Sequence, residues 1–316
     1  MEPARRCSRG VGMAGMVPAE GGLPVKPPSF EYFAPTTLDE AVALLAQHGD
    51  EAKVLAGGQS LVPMLNLRLA RPAALVDLNR VTGLDYVRAE NGHVVIGALA
   101  RQRAVERSAD VAARQPLIAA AIRLIGHPAV RNRGTVVGSL AHADPAAELP
   151  AVAVALGAEM VVTGPNGERV VAADDFFVSY LTVDLAPGEV LKEARFPALP
   201  PRTGWSIVEV ARRFGDFALA GAVATLTLDD QGAASDVRVA LFGVADRPVR
   251  VPEAEQVLRG ERPDDDRIAA AAEAARAALV DPPSDVHASA AYRRHVAGVL
   301  VGRALREARE RAQASG

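Results

Sequence analysis

The run Val54-Leu55-Ala56-Gly57-Gly58-Gln59-Ser60-Leu61-Val62-Pro63 carries a short apolar strand, read as Ala52 to Ala56, straight into a pair of glycines. Residues without side chains leave backbone N–H groups uncovered, and such a concave turn is a natural cradle for a phosphate. Gln59 and Ser60 add hydrogen-bonding groups without adding charge. Further along, Asn132 to Ser139 reads as a second glycine-containing loop, with Arg133-Gly134-Thr135-Val136-Val137-Gly138-Ser139 as its centre. Either stretch alone passes as a plain tight turn. As a pair, each beside a short strand, they suggest a grip on the two phosphates of one dinucleotide from opposite sides.

Outward from these loops the chain alternates short elements. Thr37 is placed as an N-cap with Glu40 three residues on, which predicts a helix from Leu38. Leu75 to Leu78 reads as a second short strand. Tyr86 to Glu90 and His93 to Ile96 flank Asn91-Gly92, the signature of a hairpin on a two-residue turn. Leu117 to Ile125 reads as a helix stopped by Gly126-His127-Pro128, and Leu149 to Leu156 as an alanine-rich helix ended by Gly157. Met160 to Thr163 and Arg169 to Val171 form another hairpin across Gly164-Pro165-Asn166-Gly167. Pro197, Pro200 and Pro201 mark a boundary. Beyond it come longer strands, Ser206 to Arg212, Leu219 to Leu228 and Val237 to Val244. Helices follow around Ala254–Arg259, Ile268–Val280 and Ala290–Ala312. The fold class this predicts is α+β, its last part a three-stranded meander backed by helices.

Composition narrows the function. With 316 residues, 49% hydrophobic and 23% charged, the chain has room for two or three ordinary globular cores. A formal net charge of −3 gives no electrostatic reason to expect nucleic acid as a partner, and aromatics, at 4%, provide no stacking platform. No apolar run approaches the ~20 residues of a membrane span. The single cysteine, Cys7, cannot close an internal disulfide, which suits a reducing, cytoplasmic compartment. Nor can it hold an iron–sulfur cluster, which takes about four cysteine ligands. Residues 1–27 read as a disordered N-terminal extension. Gly10-Val11-Gly12-Met13-Ala14-Gly15 within it matches the dinucleotide pattern GxGxxG, but no buried strand precedes it and Pro18 follows, so it is set aside.

Longer segments carry a resemblance. AGGQSLVPMLNLRLARP (residues 56–72), LVDLNRV (75–81) and RNRGTVVGSLAHADPAAELPAVAVALGA (131–158) resemble, in this order, the FAD-binding medium subunits of the carbon monoxide dehydrogenase and xanthine dehydrogenase family. TGPNGERVV, DDFFVSYLTVDLAPGEVL and VARRFGDFALAG continue the match, which spans roughly Pro28 to Arg311. The resemblance implies a two-subdomain FAD-binding domain of the vanillyl-alcohol-oxidase (PCMH) type over residues 28–202. It implies a C-terminal domain of the carbon monoxide dehydrogenase flavoprotein type over 203–316. It also implies that Leu55, Ala56, Gly57, Gly58, Gln59, Ser60 and Leu61 enclose the FAD pyrophosphate. Thr135, Val136, Val137, Gly138 and Ser139 form the opposing loop, and Glu148 contacts the cofactor. Ile125 and Leu191 line the flavin pocket, and Phe217 stands over the isoalloxazine ring.

The implied partners are a small subunit with two [2Fe–2S] clusters and a large molybdopterin subunit, in a dimer of heterotrimers. Electrons pass from molybdenum through the clusters to FAD and out to an external acceptor, with no catalytic side chain or metal ligand on this chain. The sequence departs from the family at Gln59, where histidine is frequent, and at Val137, where glycine is usual. A glutamine cannot link covalently to a flavin, so the FAD is expected to be non-covalent. A valine at a position requiring positive φ would be strained, or its loop displaced, and either predicts weakened FAD binding. Two other readings stay open, a self-sufficient FAD-dependent oxidase of a small substrate and a cofactor-free interaction module. Among the remaining polar residues, His142 and Asp144 read as loop-positioning groups and His127 as a turn residue. Arg293, Arg294, Arg303, Arg306, Arg309 and Arg311 read as a solvated helix face.

Overall fold

The first helix, Leu38–His48, begins at the foreseen cap: Thr37 Oγ1 accepts from Glu40 N–H at 3.2 Å. Glu40 turns its carboxylate back on the N–H of Thr36, at 2.9 Å, one residue earlier than a capping box requires. The helix joins Glu31–Phe33 to Ala52–Leu55, and both strands pair in parallel with Ala74–Asp77, which lies between them. This computed structural model describes residues 25–315 and the backbone of Arg5–Arg6, which pairs with Glu31–Phe33. Most of the expected extension, residues 1–27, and the Gly10–Gly15 pattern in it lie outside the described residues.

A second sheet is antiparallel and five-stranded. Its order is Val87–Glu90, His93–Gly97, Val190–Pro197, Glu159–Gly164, Gly167–Ala172. The first hairpin turns on Asn91 and Gly92, both at positive φ (48° and 78°), the geometry that the Asn-Gly pair favours. Helices Val136–His142 and Glu148–Leu156 pack on this sheet, and Pro116–Leu124 packs on Glu148–Leu156. Here one expectation is corrected. Asn132 to Ser139 is not a loop throughout, because Thr135 caps a helix that begins at Val136. The small residues that read as loop are there because Gly138 occupies the third helical position. A Cβ at that point would stand 2.4 Å from Thr135 Oγ1, the oxygen that accepts from Gly138 N–H at 3.0 Å.

The third sheet consists of Thr203–Ala211, Ala218–Leu228 and Ala234–Phe242, with a fourth strand, Val249–Arg250, added to the expected three. Two residues are too few to show a period, which is why the sequence did not betray the fourth strand. Helices Pro252–Leu258, Asp265–Ala278 and Ala290–Ala314 cover one face of this sheet. Its other face meets the second sheet's helices, and Val223, Ala240 and Phe242 join that core. Burial on both faces explains why Ala218–Leu228 reads as a nearly unbroken apolar run without alternation. It also explains Glu148–Leu156, a helix in which all nine residues are buried.

The last helix corrects part of another expectation: Arg303, Arg306 and Arg311 are exposed as expected, but Arg293 and Arg294 are not. Arg293 is only 5% exposed, and its guanidinium donates to Gly243 O at 2.8 Å, to Leu219 O and to Asp285. Arg294 donates to Leu279 O at 2.7 Å, and Arg311 lies over the Trp205 ring at 4.1 Å. These arginines tie the helix to the sheet, because strand ends and interhelix turns present bare carbonyls that a planar guanidinium can reach in pairs. No described helix is long and apolar enough to cross a membrane.

The close approach of this helix depends on Gly204, where a Cβ would lie 1.7 Å from Ala308 O. Gly204→Ala is expected to force the helix outward and to destabilise the chain by about 1–3 kcal/mol, as overpacking does. Thermal unfolding of the variant beside the parent checks this.

Candidate functional site

Two segments far apart in sequence meet at Gly57. A Cβ on this residue would lie 2.6 Å from Arg133 O, 2.8 Å from Gly134 Cα and 3.1 Å from Thr135 N. The backbones of the two foreseen loops therefore pack directly on one another, which only glycine permits. Gly58 adopts φ +72°, and its carbonyl accepts the first helical bond, from Val62 N–H at 3.1 Å. The N–H groups of Gln59, Ser60 and Leu61 lie ahead of that bond and are left over for a ligand, as at any helix start. Gln59 Nε2 donates to Gly57 O at 3.2 Å, which pins its side chain back against the turn.

In the facing segment, Val136 N–H donates to Ala100 O at 3.3 Å and Gly138 N–H to Thr135 Oγ1, which leaves Val137 N–H at the second helical position. Val136 and Val137 point into the core, at 0% and 2% exposure. Val137 has no positive φ, so the expected strain is absent. A helix start needs ordinary helical angles there, and a valine fills the core where a glycine would leave a gap. Ser139 is half-buried on the same helix, its N–H donating to Thr135 O.

A polar network that sequence reasoning missed braces the two segments. Asn79 Nδ2 donates to Ala56 O at 2.8 Å and to Asp77 Oδ1 at 2.5 Å, while its Oδ1 accepts from Arg101 at 2.5 Å. Arg101 also donates to Arg133 O at 2.6 Å, and Tyr32 OH donates to Asp77 Oδ2 at 2.6 Å. Asp77 thereby pushes the Tyr32 hydroxyl up to about 12, chiefly through this hydrogen bond and then through burial. Burial, then the like charge of Arg133, lowers Arg101. Asp77 and Asn79 follow an apolar strand in the quoted LVDLNRV, and that position at a strand end was the one available signal. Arg101 had none.

The resulting cleft, of about 410 Å³, is lined by Leu55, Ala56, Gly57, Gly58, Gln59, Val62, Pro63, Asp77, Asn79 and Arg133. The other foreseen residues lie outside its walls. Ile125 ends helix Pro116–Leu124, and its carbonyl accepts from Arg131 at 2.9 Å. The loop bearing Phe217 reaches this point, since a Cβ on Gly215 (φ +84°) would lie 3.0 Å from Gly126 O. Phe217 itself is 62% exposed. Leu191 is buried in the core, opposite Val162. Glu148 is 6% exposed, and its carboxyl is raised to about 8, chiefly by burial and further by the charges of Glu209 and Asp144. Asp144 accepts from Ala146 N–H at 2.9 Å, the loop-positioning role foreseen for it. Burial lowers the neighbouring His142. Among the described residues no group of acids, histidines or cysteines is arranged to hold a metal.

Comparison with known proteins agrees across the chain. Residues 28–199 match the family described as the FAD binding domain in molybdopterin dehydrogenase, and residues 205–308 the CO dehydrogenase flavoprotein C-terminal domain. The carbon monoxide dehydrogenase medium chain of Hydrogenophaga pseudoflava is 43% identical, over 89% of this chain and 98% of that one. The alpha subunit of the 6-hydroxypseudooxynicotine dehydrogenase complex of Paenarthrobacter nicotinovorans is also 43% identical, over 92% and 97%. In structure, the chain is similar to carbon monoxide dehydrogenase of Hydrogenophaga pseudoflava lacking the Mo-pyranopterin moiety of its cofactor. The TM-score is 0.87 at 44% identity, covering 90% of this chain and 99% of that one.

Gly57→Ala should drive the two segments apart and cost about 1–3 kcal/mol of stability. Amide hydrogen exchange across residues 133–139 should accelerate in the variant. Unchanged exchange there would show that the two backbones do not rely on each other.

Proposed function

The chain belongs to the family of FAD-binding medium subunits of molybdopterin dehydrogenases, the carbon monoxide dehydrogenase type among them, and on that premise we propose how it holds its flavin and what it passes on. Residues 28–202 form a two-subdomain FAD-binding domain of the vanillyl-alcohol-oxidase type, and residues 203–316 the C-terminal domain. The FAD pyrophosphate is gripped between Ala56–Leu61 and Thr135–Ser139. The observation that carries this reading is the contact of Gly57 with Arg133–Thr135, which sets the start of the helix at Val136 beside the turn that leads into Leu61–Asn66. Helix starts attract phosphate through unspent N–H groups and the local dipole. Arg101 and Asn79 fix the carbonyls of Ala56 and Arg133, so the amides are aimed before the ligand arrives, at little entropic cost on binding.

Beyond the cleft, Ile125, Leu191 and Glu148 border the flavin end, and Phe217 closes over it. Phe217 is exposed, and its loop is anchored through Gly215 against Gly126, beside Ile125. The bound FAD accepts electrons singly and releases them singly or in pairs, which suits a relay. The donors are the [2Fe–2S] clusters of a small partner subunit, fed by substrate oxidation at molybdenum on a large subunit. The assembly is a dimer of heterotrimers working in the cytoplasm, and an external acceptor takes the electrons. This chain's residues bind and orient the flavin and hold water away from it; no proton abstraction from substrate falls to them.

Two tests follow. Acid precipitation of the FAD-loaded chain should leave a yellow supernatant, because Gln59 cannot bond covalently to flavin; colour retained in the pellet contradicts non-covalent binding. The isolated chain should leave its FAD oxidised when given hydroxylase substrates, and reduction there would favour a self-sufficient oxidase. Fluorescence titration with FAD should show Asn79→Ala binding roughly tenfold to a hundredfold more weakly, at about 1.4 kcal/mol per decade. Val137→Gly, which empties part of the core and places glycine in a helix, should lose about 1–3 kcal/mol of stability without gaining affinity.

A further inference from the structure

Arg131 ends the short helix Pro128–Arg131, is 7% exposed, and turns its guanidinium back on the chain that precedes this helix. Nη1 donates to Ile125 O at 2.9 Å and to Gly126 O at 3.1 Å. These two carbonyls follow the end of helix Pro116–Leu124, where backbone acceptors have no helical partners. The same guanidinium also meets Glu106, with Nε 3.4 Å from Oε2. Glu106 accepts from Arg103 at 2.8 Å as well. Burial works against a charge on this carboxyl, yet the hydrogen bond from Arg103 and the charges of Arg103, Arg131 and Arg123 hold it below the usual carboxylate range. An ion pair taken out of water contributes little net stability, so its presence here points to geometry.

The turn that Arg131 holds supports a second segment. Gly126 has φ +46°, and Gly215 (φ +84°) rests on its peptide. A Cβ on Gly215 would lie 3.0 Å from Gly126 O, 3.1 Å from its carbonyl carbon and 3.2 Å from its Cα. One oxygen, Gly126 O, therefore accepts from Arg131 and also bears the Gly215 backbone. Asp216 N–H closes the next turn by donating to Arg213 O at 3.1 Å, and Phe217 follows, at the head of strand Ala218–Leu228. The Glu106 end leads back to the phosphate cleft. Helix Gln102–Glu106 starts where Gln102 N–H donates to Gly134 O at 2.8 Å, next to Arg101, which holds Arg133 O. At about 1.5 Å of rise per residue, this one short helix reaches from the cleft wall to the Arg131 pair.

We propose that Arg131 is a positioning residue for the cover of the flavin ring: pinned by Glu106, it fixes the Ile125–Gly126 turn that supports the Gly215 loop, and so sets where Phe217 stands relative to the bound isoalloxazine. The proposal rests on the reading that Phe217 covers that ring. A planar guanidinium suits the task because it serves two carbonyls and a carboxylate in one fixed plane, which the ammonium of a lysine on a flexible stem does not. The phosphate grip is bonded separately, through Arg101, Gln102 and Asn79, and does not depend on Arg131.

The test titrates the flavin-free full chain by calorimetry with FAD and with ADP, which carries the two phosphates but no flavin ring. Arg131→Lys keeps the charge; Glu106→Gln keeps Arg131 but removes the anion that pins it, and serves alone if the first variant does not fold. Phe217→Ala should bind FAD about fivefold more weakly, the size of one aromatic contact, with ADP affinity unchanged. Arg131→Lys and Glu106→Gln should show the same selective loss, and the visible absorption band of bound FAD should shift in them as it does in Phe217→Ala. Arg131→Lys combined with Phe217→Ala should lose no more than Phe217→Ala alone, because both act through one contact. Equal weakening for ADP and FAD in a folded Arg131→Lys or Glu106→Gln marks a general structural role and overturns the proposal. Wild-type FAD affinity in those variants, or losses that add in the double variant, overturns it too. Wild-type FAD affinity and spectrum in Phe217→Ala instead remove the reading that Phe217 covers the ring, and the proposal with it.

Discussion

The contact of Gly57 with Arg133, Gly134 and Thr135 sets the geometry on which the rest of the site depends. A turn between the first parallel strands has to touch the start of a helix that belongs to a different sheet. The touch is backbone to backbone, with less room than a single methyl group requires. Hydrogen bonds then lock what sterics allow: Asn79 holds Ala56 O, and Arg101 holds Arg133 O and Asn79 together. The side-chain donors of Asn79 and Arg101 serve the carbonyls of Ala56 and Arg133 and the carboxylate of Asp77. The N–H groups are what it leaves unspent, and that asymmetry makes the cleft suited to an anion.

The second constraint is the helix Glu148–Leu156. Buried on every side, it lies between the five-stranded sheet and the C-terminal sheet. A helix in that position cannot be amphipathic, and its residues are alanine, valine, leucine and proline after the initial Glu148. The small alanines let two sheets approach, and the same economy appears at Gly204 and Gly221, where a helix backbone and the Phe242 ring occupy the space a side chain would need. The loops bearing Ile125 and Phe217 thus sit on elements with little freedom to drift apart.

Much of this was legible in the sequence, for identifiable reasons. The hairpin at Asn91-Gly92, the cap at Thr37 and the long C-terminal strands are local signals, and local physics decides them. The second loop misled because its small residues, Gly134 and Gly138, look like flexibility. They are there for contact: one lies against Gln102, the other makes room for the Thr135 cap. The expectation of a strained Val137 failed for the same reason, since glycine in a relative's loop implies positive φ only where the backbone demands it. Arg293 and Arg294 looked solvated because nothing in a sequence shows which carbonyls a fold leaves bare. Arg101 was invisible likewise, its role being set by segments far from it in the chain, and Asn79 showed only as a polar residue after an apolar strand.

Two kinds of buried acid can be told apart by what surrounds them. Asp77 accepts from the Tyr32 hydroxyl and from the backbone and side-chain nitrogens of Asn79, so its charge is compensated and its role is to hold the brace. Glu209 has a buried oxygen with no hydrogen-bond partner among the described residues, and Glu148 is raised chiefly by burial, against a backbone hydrogen bond that lowers it. Sequences tend to break their own local rules where function requires it. The satisfied acid needs no further explanation than architecture. The unpartnered oxygen of Glu209 does need one, and it sits on the strand that leads toward Phe217.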